Sequence, residues 1–115
     1  MRRQVIEDAA YEVATQVRTV EDTIDCVLGE LAELQARILR ANSVAAVGPA
    51  VIHNALERLS AGMAGLVTAR GHIVGCHAAL ADAKEKTPGL RTVSWGDGDN
   101  KCPPSTGQAD LRIVA

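Results

Sequence analysis

Residues 6–38 read IEDAAYEVATQVRTVEDTIDCVLGELAELQARI, and the spacing of their apolar members decides the fold. Ile6, Ala10, Val13, Val17, Val20, Ile24, Val27, Leu31, Leu34 and Ile38 follow one another in alternating steps of four and three, without a slip. On a helix those steps keep every member on one slowly winding stripe, the seam of a coiled coil or of a long bundle helix. Ala14 and Leu28 lie beside the seam and widen it towards a bundle face. The far side carries Asp8, Glu12, Arg18, Asp22, Asp25 and Glu33, the ordinary solvated face of a helix. Glu33 and Arg37 stand four apart in the favourable order, a pairing worth a few tenths of a kcal/mol, about 0.2–0.5. The spacing predicts a helix over about 4–41, roughly 55 Å long at 1.5 Å per residue. A compact domain of 115 residues has no need of such a length.

Downstream, Ala41-Asn42-Ser43 through Gly48-Pro49 is where the chain can bend. Asn42 tolerates the left-handed conformation that ends helices, and Pro49 suits the first turn of a new one. A turn is expected over about 42–48 and a second helix over 49–86, stopped by Thr87-Pro88-Gly89. The second helix repeats the seven-residue logic with one large row, Ile52, Leu59, Leu66, Ile73 and Leu80. A small row, Ala55, Gly62, Ala69, Cys76 and Ala83, runs three residues on. In an antiparallel hairpin whose facing numbers sum to 93, the small row meets large residues of the first helix. Large opposite small lets two axes approach closely. The same register puts the bend at residues 46 and 47. It also places the Cys76 thiol in the buried small row.

That hairpin leaves apolar residues outside its seam, and burying them takes another copy or another protein. Leu28, Leu39, Leu56 and Met63 are the expected interface, with Gly71 and Gly75 as points of close helix contact. Each glycine otherwise costs up to about 1 kcal/mol against alanine within a helix. Past residue 87 the periodicity stops. The stretch from Leu90 to Trp95, with Val93 between, alternates like a short strand, and Leu111 to Val114, including Ile113, reads as a second. Between them residues 96–110 have loop composition. The expected interface therefore extends to Leu90, Val93, Trp95, Leu111 and Ile113 on an extended arm, residues 88–115.

Composition narrows the function. Hydrophobic residues make up 47 % of the chain but aromatic ones only 2 %, with no Phe, which suits thin helical rods better than a compact core. A net charge of −2 offers no basic surplus for phosphate, so nucleic acid is not an expected partner. Charged and polar residues interrupt every apolar run, so no membrane span is expected. Three cysteines without a CxxC pair favour free thiols, hence the cytoplasm or a particle assembled there.

Chemistry is sparse. His72 and Cys76 stand four apart as metal ligands would, but no second pair completes a four-ligand site, and a buried thiol is the better reading. His53 and His77 are expected to face solvent or a subunit boundary. Asp97-Gly98-Asp99-Asn100 opens like a calcium loop but continues with Lys101 and Cys102 where oxygen ligands belong. No nucleophile has a spaced base and carboxylate, so neither an enzyme nor a cofactor is expected.

The sequence thus predicts an all-α fold: a long, coiled-coil-like antiparallel two-helix hairpin (residues 1–87) with an extended C-terminal arm that forms short strands. Hairpins are expected to oligomerise into a helical bundle, as a trimer or an antiparallel four-helix dimer. The expected function is a non-enzymatic structural or assembly subunit, partnered by its own copies, by other subunits, or by both. By analogy with how such particles are built, this fits an accessory protein of a virion head, neck or tail. The alternative is an adaptor, small chaperone or inhibitor offering its helical face to one different protein.

Overall fold

The computed structural model describes residues 2–46 and 48–90. The first helix, α1, spans Arg2–Ala45 (44 residues), and the second, α2, spans Pro49–Lys86 (38 residues). They fold back on one another as an antiparallel hairpin measuring 65 × 29 × 17 Å. The long dimension is that of α1 itself, about 66 Å for 44 residues at the helical rise.

The bend is tighter than the sequence suggests. Asn42 does not end α1; the helix continues to Ala45, and the left-handed residue is Ala46, at φ 51°. The Ala46 N–H donates to the Asn42 carbonyl at 2.8 Å and closes the last turn. The run from Ala41 to Ala46 contains three alanines and no helix breaker, so the helix propagates until Gly48-Pro49 forces it to stop. Gly48 is the cap residue of α2, in extended conformation, and Pro49 occupies the first turn, where its missing N–H matters least. At the other end Thr87 is extended and Gly89 takes φ 91°, a value open to glycine at little cost. This turn swings Leu90 back against the rod, with its N–H donating to the Thr87 carbonyl. Leu90 is the one buried hydrophobic among the described residues, 6 % exposed.

The helices meet through different rows from those expected. On α2 the half-buried positions are Ile52, Leu56, Leu59, Met63, Leu66 and Ile73, so the large row is joined by the row four residues on. The small row is exposed throughout, at Ala55, Gly62, Ala69, Cys76 and Ala83, although Ala83 still lines a cleft against α1. On α1 the half-buried apolar residues are Ala10, Ala14, Val17, Val20, Ile24, Cys26, Leu28, Leu31, Ala36 and Ile38, while Ile6, Val13, Val27 and Leu34, of the same row as Val20, are 39–47 % exposed. Each helix is rolled by about one row. Two forces act in the same direction. Leu56 and Met63 offer far more apolar area than Ala55 and Gly62, and polar partners wait on the same flank of α1.

Candidate functional site

Those polar partners form a clasp across the middle of the hairpin. Arg70 donates from Nε to Asp25 Oδ1 at 2.6 Å and from Nη2 to Asp25 Oδ2 at 3.4 Å, a two-pronged grip on one carboxylate. Two turns further along α2, His77 Nδ1 lies 2.6 Å from Glu21 Oε1. Arg70 and His77 belong to the row begun by Leu56 and Met63, and Asp25 and Glu21 lie one turn apart on α1. The hydrogen bond from Arg70 holds the Asp25 carboxyl below its ordinary range, against the smaller opposing effect of desolvation. The bond to Asp25 raises Arg70 in turn. Facing numbers sum to 95 for Asp25 with Arg70 and to 98 for Glu21 with His77, near the expected register of 93.

The clasp closes one side of the hairpin and leaves the other open. On the open side the half-exposed row of Ile6, Val13, Val27 and Leu34 runs beside the small row of α2. A methyl group built on Gly62, Gly65, Gly71 or Gly75 would meet no other atom within 4 Å. These glycines therefore make no close contact within this chain. The charges of α1 are engaged locally, with Glu33 bound by both Arg37 and Arg40 at 3.3 Å and Arg3 by Glu7 at 3.1 Å.

Comparison of the chain with protein-family models, curated proteins and solved structures gives no match. Function has to be argued from the surface itself.

Where the expected residues fall is mixed. Leu28, Leu56 and Met63 are half-covered within the hairpin, Leu39 is 46 % exposed, Gly71 and Gly75 are exposed, and Leu90 is buried. Val93, Trp95, Leu111 and Ile113, together with the two short strands, lie outside the described residues. Cys76 is a free, exposed thiol, which corrects its expected place in the core. Cys26 is disulfide-bonded, which corrects the expectation of free thiols, and Cys102 lies outside the described residues. His53 lies 2.6 Å from Glu57 of its own helix, and His72 is exposed. Among the described residues no three His, Cys, Asp or Glu side chains converge as metal ligands would, and no helix is long and apolar enough to cross a membrane.

The sequence reading missed the clasp. Its signal was present: Arg70 and His77 stand seven apart, in the row of Leu56 and Met63, with acids at Glu21 and Asp25 to answer them.

A cleft of about 360 Å³, apolar at its base and edged by Arg18, His77, Lys84 and Thr87, opens between the helices near the chain termini of the hairpin. Its walls include Ala10, Ala14 and Ala81, whose small side chains leave the gap, and Leu90 closes one end.

Proposed function

We propose that this chain is a non-enzymatic structural or assembly subunit that self-associates through its helices and docks neighbours through its C-terminal arm. One observation carries the reading: the described rod buries a single hydrophobic residue, although 47 % of the sequence is hydrophobic. Two helices alone cannot enclose a core, and most helical stability in proteins comes from packing an apolar face. The row of Ile6, Val13, Val27 and Leu34, beside the small residues of α2, is suited to receive further helices.

The accessible surface is 8741 Å². A compact monomer of 12.1 kDa would expose about 6000 Å². The difference is larger than the roughly 800 Å² that each partner contributes to a standard protein–protein interface. Leu90, seated at the mouth of the cleft, starts the arm at a place where neighbouring rods would meet its first residues.

Molar mass in solution by light scattering tests the proposal, on the full chain and on a chain ending at Leu90. A defined oligomer of the full chain supports it. If the oligomer falls apart on truncation, the arm holds it; if it survives, the helices do. A monomer in both cases refutes self-association and favours an adaptor whose open side receives one different protein.

A further inference from the structure

Resting on the self-association just proposed, the geometry points to the back of α2 as the face that binds a second copy of this chain, antiparallel, about a two-fold axis level with residue 70. From Leu59 to Ala81 Arg70 is the sole Asp, Glu, Lys or Arg in α2, and Asp25 of the same chain already holds it. The outward surface of this stretch is therefore uncharged. A helix that is apolar all round is normally buried on all sides. This one is covered on one side only.

The outermost line of this face runs from Arg58 to Asp82 in steps of three and four, and every member is exposed. It reads as a palindrome in chemical class. Arg58 mirrors Asp82, Ala61 mirrors Ala79, Gly65 mirrors Gly75, and Thr68 mirrors His72, with the numbers in each pair summing to 140. Two-fold packing sets such mirror positions against each other twice, once in each direction. Arg58 then meets Asp82 of the second copy at both ends of the contact, opposite charge against opposite charge, with Asp82 sharing its carboxylate between Arg58 and Lys86 of its own helix, which lies 2.8 Å from it. Glycine meets glycine at the crossing points, where backbones approach closely without a Cβ between them. The Thr68 hydroxyl donates to the Ala64 carbonyl at 3.1 Å, so its hydrogen bond is made within its own helix. In a parallel pairing Arg58 would face Arg58 and Asp82 would face Asp82, which is repulsive at both ends. The charges choose the antiparallel arrangement. The contact spans about 36 Å of helix.

Charge reversal on the full chain tests this, with the dimer dissociation constant read by light scattering over a dilution series. Arg58→Asp and Asp82→Arg, each alone, are expected to weaken the dimer roughly tenfold, since two attractive contacts become repulsive. The double variant restores both contacts and should return to within about twofold of the parent. Both residues are exposed, and circular dichroism checks that the helices persist.

The native free thiol supplies a second readout. A nitroxide on Cys76 should lie about 20 Å from its mate by pulsed electron resonance, because the two positions are twelve residues apart along the contact. A parallel pair would bring them to about 10 Å. A defined oligomer indifferent to every reversal, or labels at the shorter distance, overturns this face and leaves self-association standing. A monomer at all concentrations removes both.

Discussion

α1 and α2 lie side by side in one hairpin, yet they are built for different surroundings. α1 carries thirteen charged residues in 44 positions, α2 only seven in 38, and from Leu59 to Ala81 α2 carries Arg70 alone. α1 therefore has a face for its partner helix and a face for water. α2 has a face for α1 and, from Leu59 to Ala81, a back whose polar residues are uncharged or histidine, such as Ser60, Thr68 and His72. Helical propensity does not explain the contrast, because Gly62, Gly65, Gly71 and Gly75 weaken α2 where it is least charged. A sequence that accepts four glycines in an exposed helix gains something from their lack of side chain. Under the proposed self-association, contact with a neighbouring helix is that gain.

The sharpest way to break this comparison is to treat the two backs alike. Gly29 lies on the outer side of α1 and Gly65 on the back of α2, and a Cβ at either meets nothing within 4 Å in the single hairpin. Leucine at both positions is equally harmless to an isolated rod. Gly65→Leu is expected to weaken self-association by about a hundredfold, because an overpacked contact costs about 1–3 kcal/mol and occurs twice in a two-fold pair. Gly29→Leu should leave it unchanged. Equal effects in a dilution series read by light scattering would erase the distinction between the helices.

Within the hairpin the comparison passes to its closed and open sides. Leu31 is half-buried on the closed side, and Leu34 is 45 % exposed on the open one. In dilute protein, Leu31→Ala should cost about 2 kcal/mol of unfolding free energy by urea titration, and Leu34→Ala less than about 1. The reverse order would mean that the helices roll the other way, as the bare heptad pattern suggests.

That roll marks the boundary of what the sequence discloses. The unbroken four-three spacing from Ile6 to Ile38 and the Gly48-Pro49 break suffice for two long helices and a bend, because period and chain breakers are local properties. Which rows face inward is not local. Ala55 and Leu56 sit on neighbouring rows, and the larger area of Leu56 together with the meeting of Arg70 with Asp25 and of His77 with Glu21 selects the row of Leu56. A heptad analysis that follows apolar residues alone passes over such polar members. Cys76 stands exposed for the same reason, since small size alone does not bring its row inward. The expected contacts of Gly71 and Gly75 concern a second molecule, which the periodicity of one chain cannot locate.

Smaller effects sharpen the account of the bend and of the outer face of α1. Ala46 holds φ 51°, a conformation that an L-residue with a Cβ adopts at some cost. Ala46→Gly should therefore raise the midpoint of unfolding, by up to about 1 kcal/mol at this one position. Gly29→Ala should stabilise by a similar amount, about 1 kcal/mol, for the opposite reason: a helix interior prefers alanine and nothing obstructs its methyl. Gly65→Ala gives the same gain in a lone rod but loses it where a second helix lies against the backbone, so thermal melts of these variants report indirectly on whether α2 is covered.

The smallest expected effect concerns the clasp. Asp25 titrates below its ordinary value of 3.8 because Arg70 hydrogen-bonds its carboxylate in the folded hairpin. The folded state therefore binds that proton less readily than the unfolded chain does. The stabilisation from this pair is present in full above the unfolded value and declines as pH falls from there through the lower folded one. Both side chains are about half exposed, so water and salt screen the pair and the loss is slight. Thermal unfolding of the parent and of Asp25→Asn, compared at neutral pH and below pH 3.8, should show the two variants converging in acid, with the parent the more stable at neutral pH. Raising the salt concentration should narrow the neutral gap. A gap that persists in acid would mean that the neutral carboxyl of Asp25 makes a contact that the isosteric amide cannot, and that charge is not what this residue contributes.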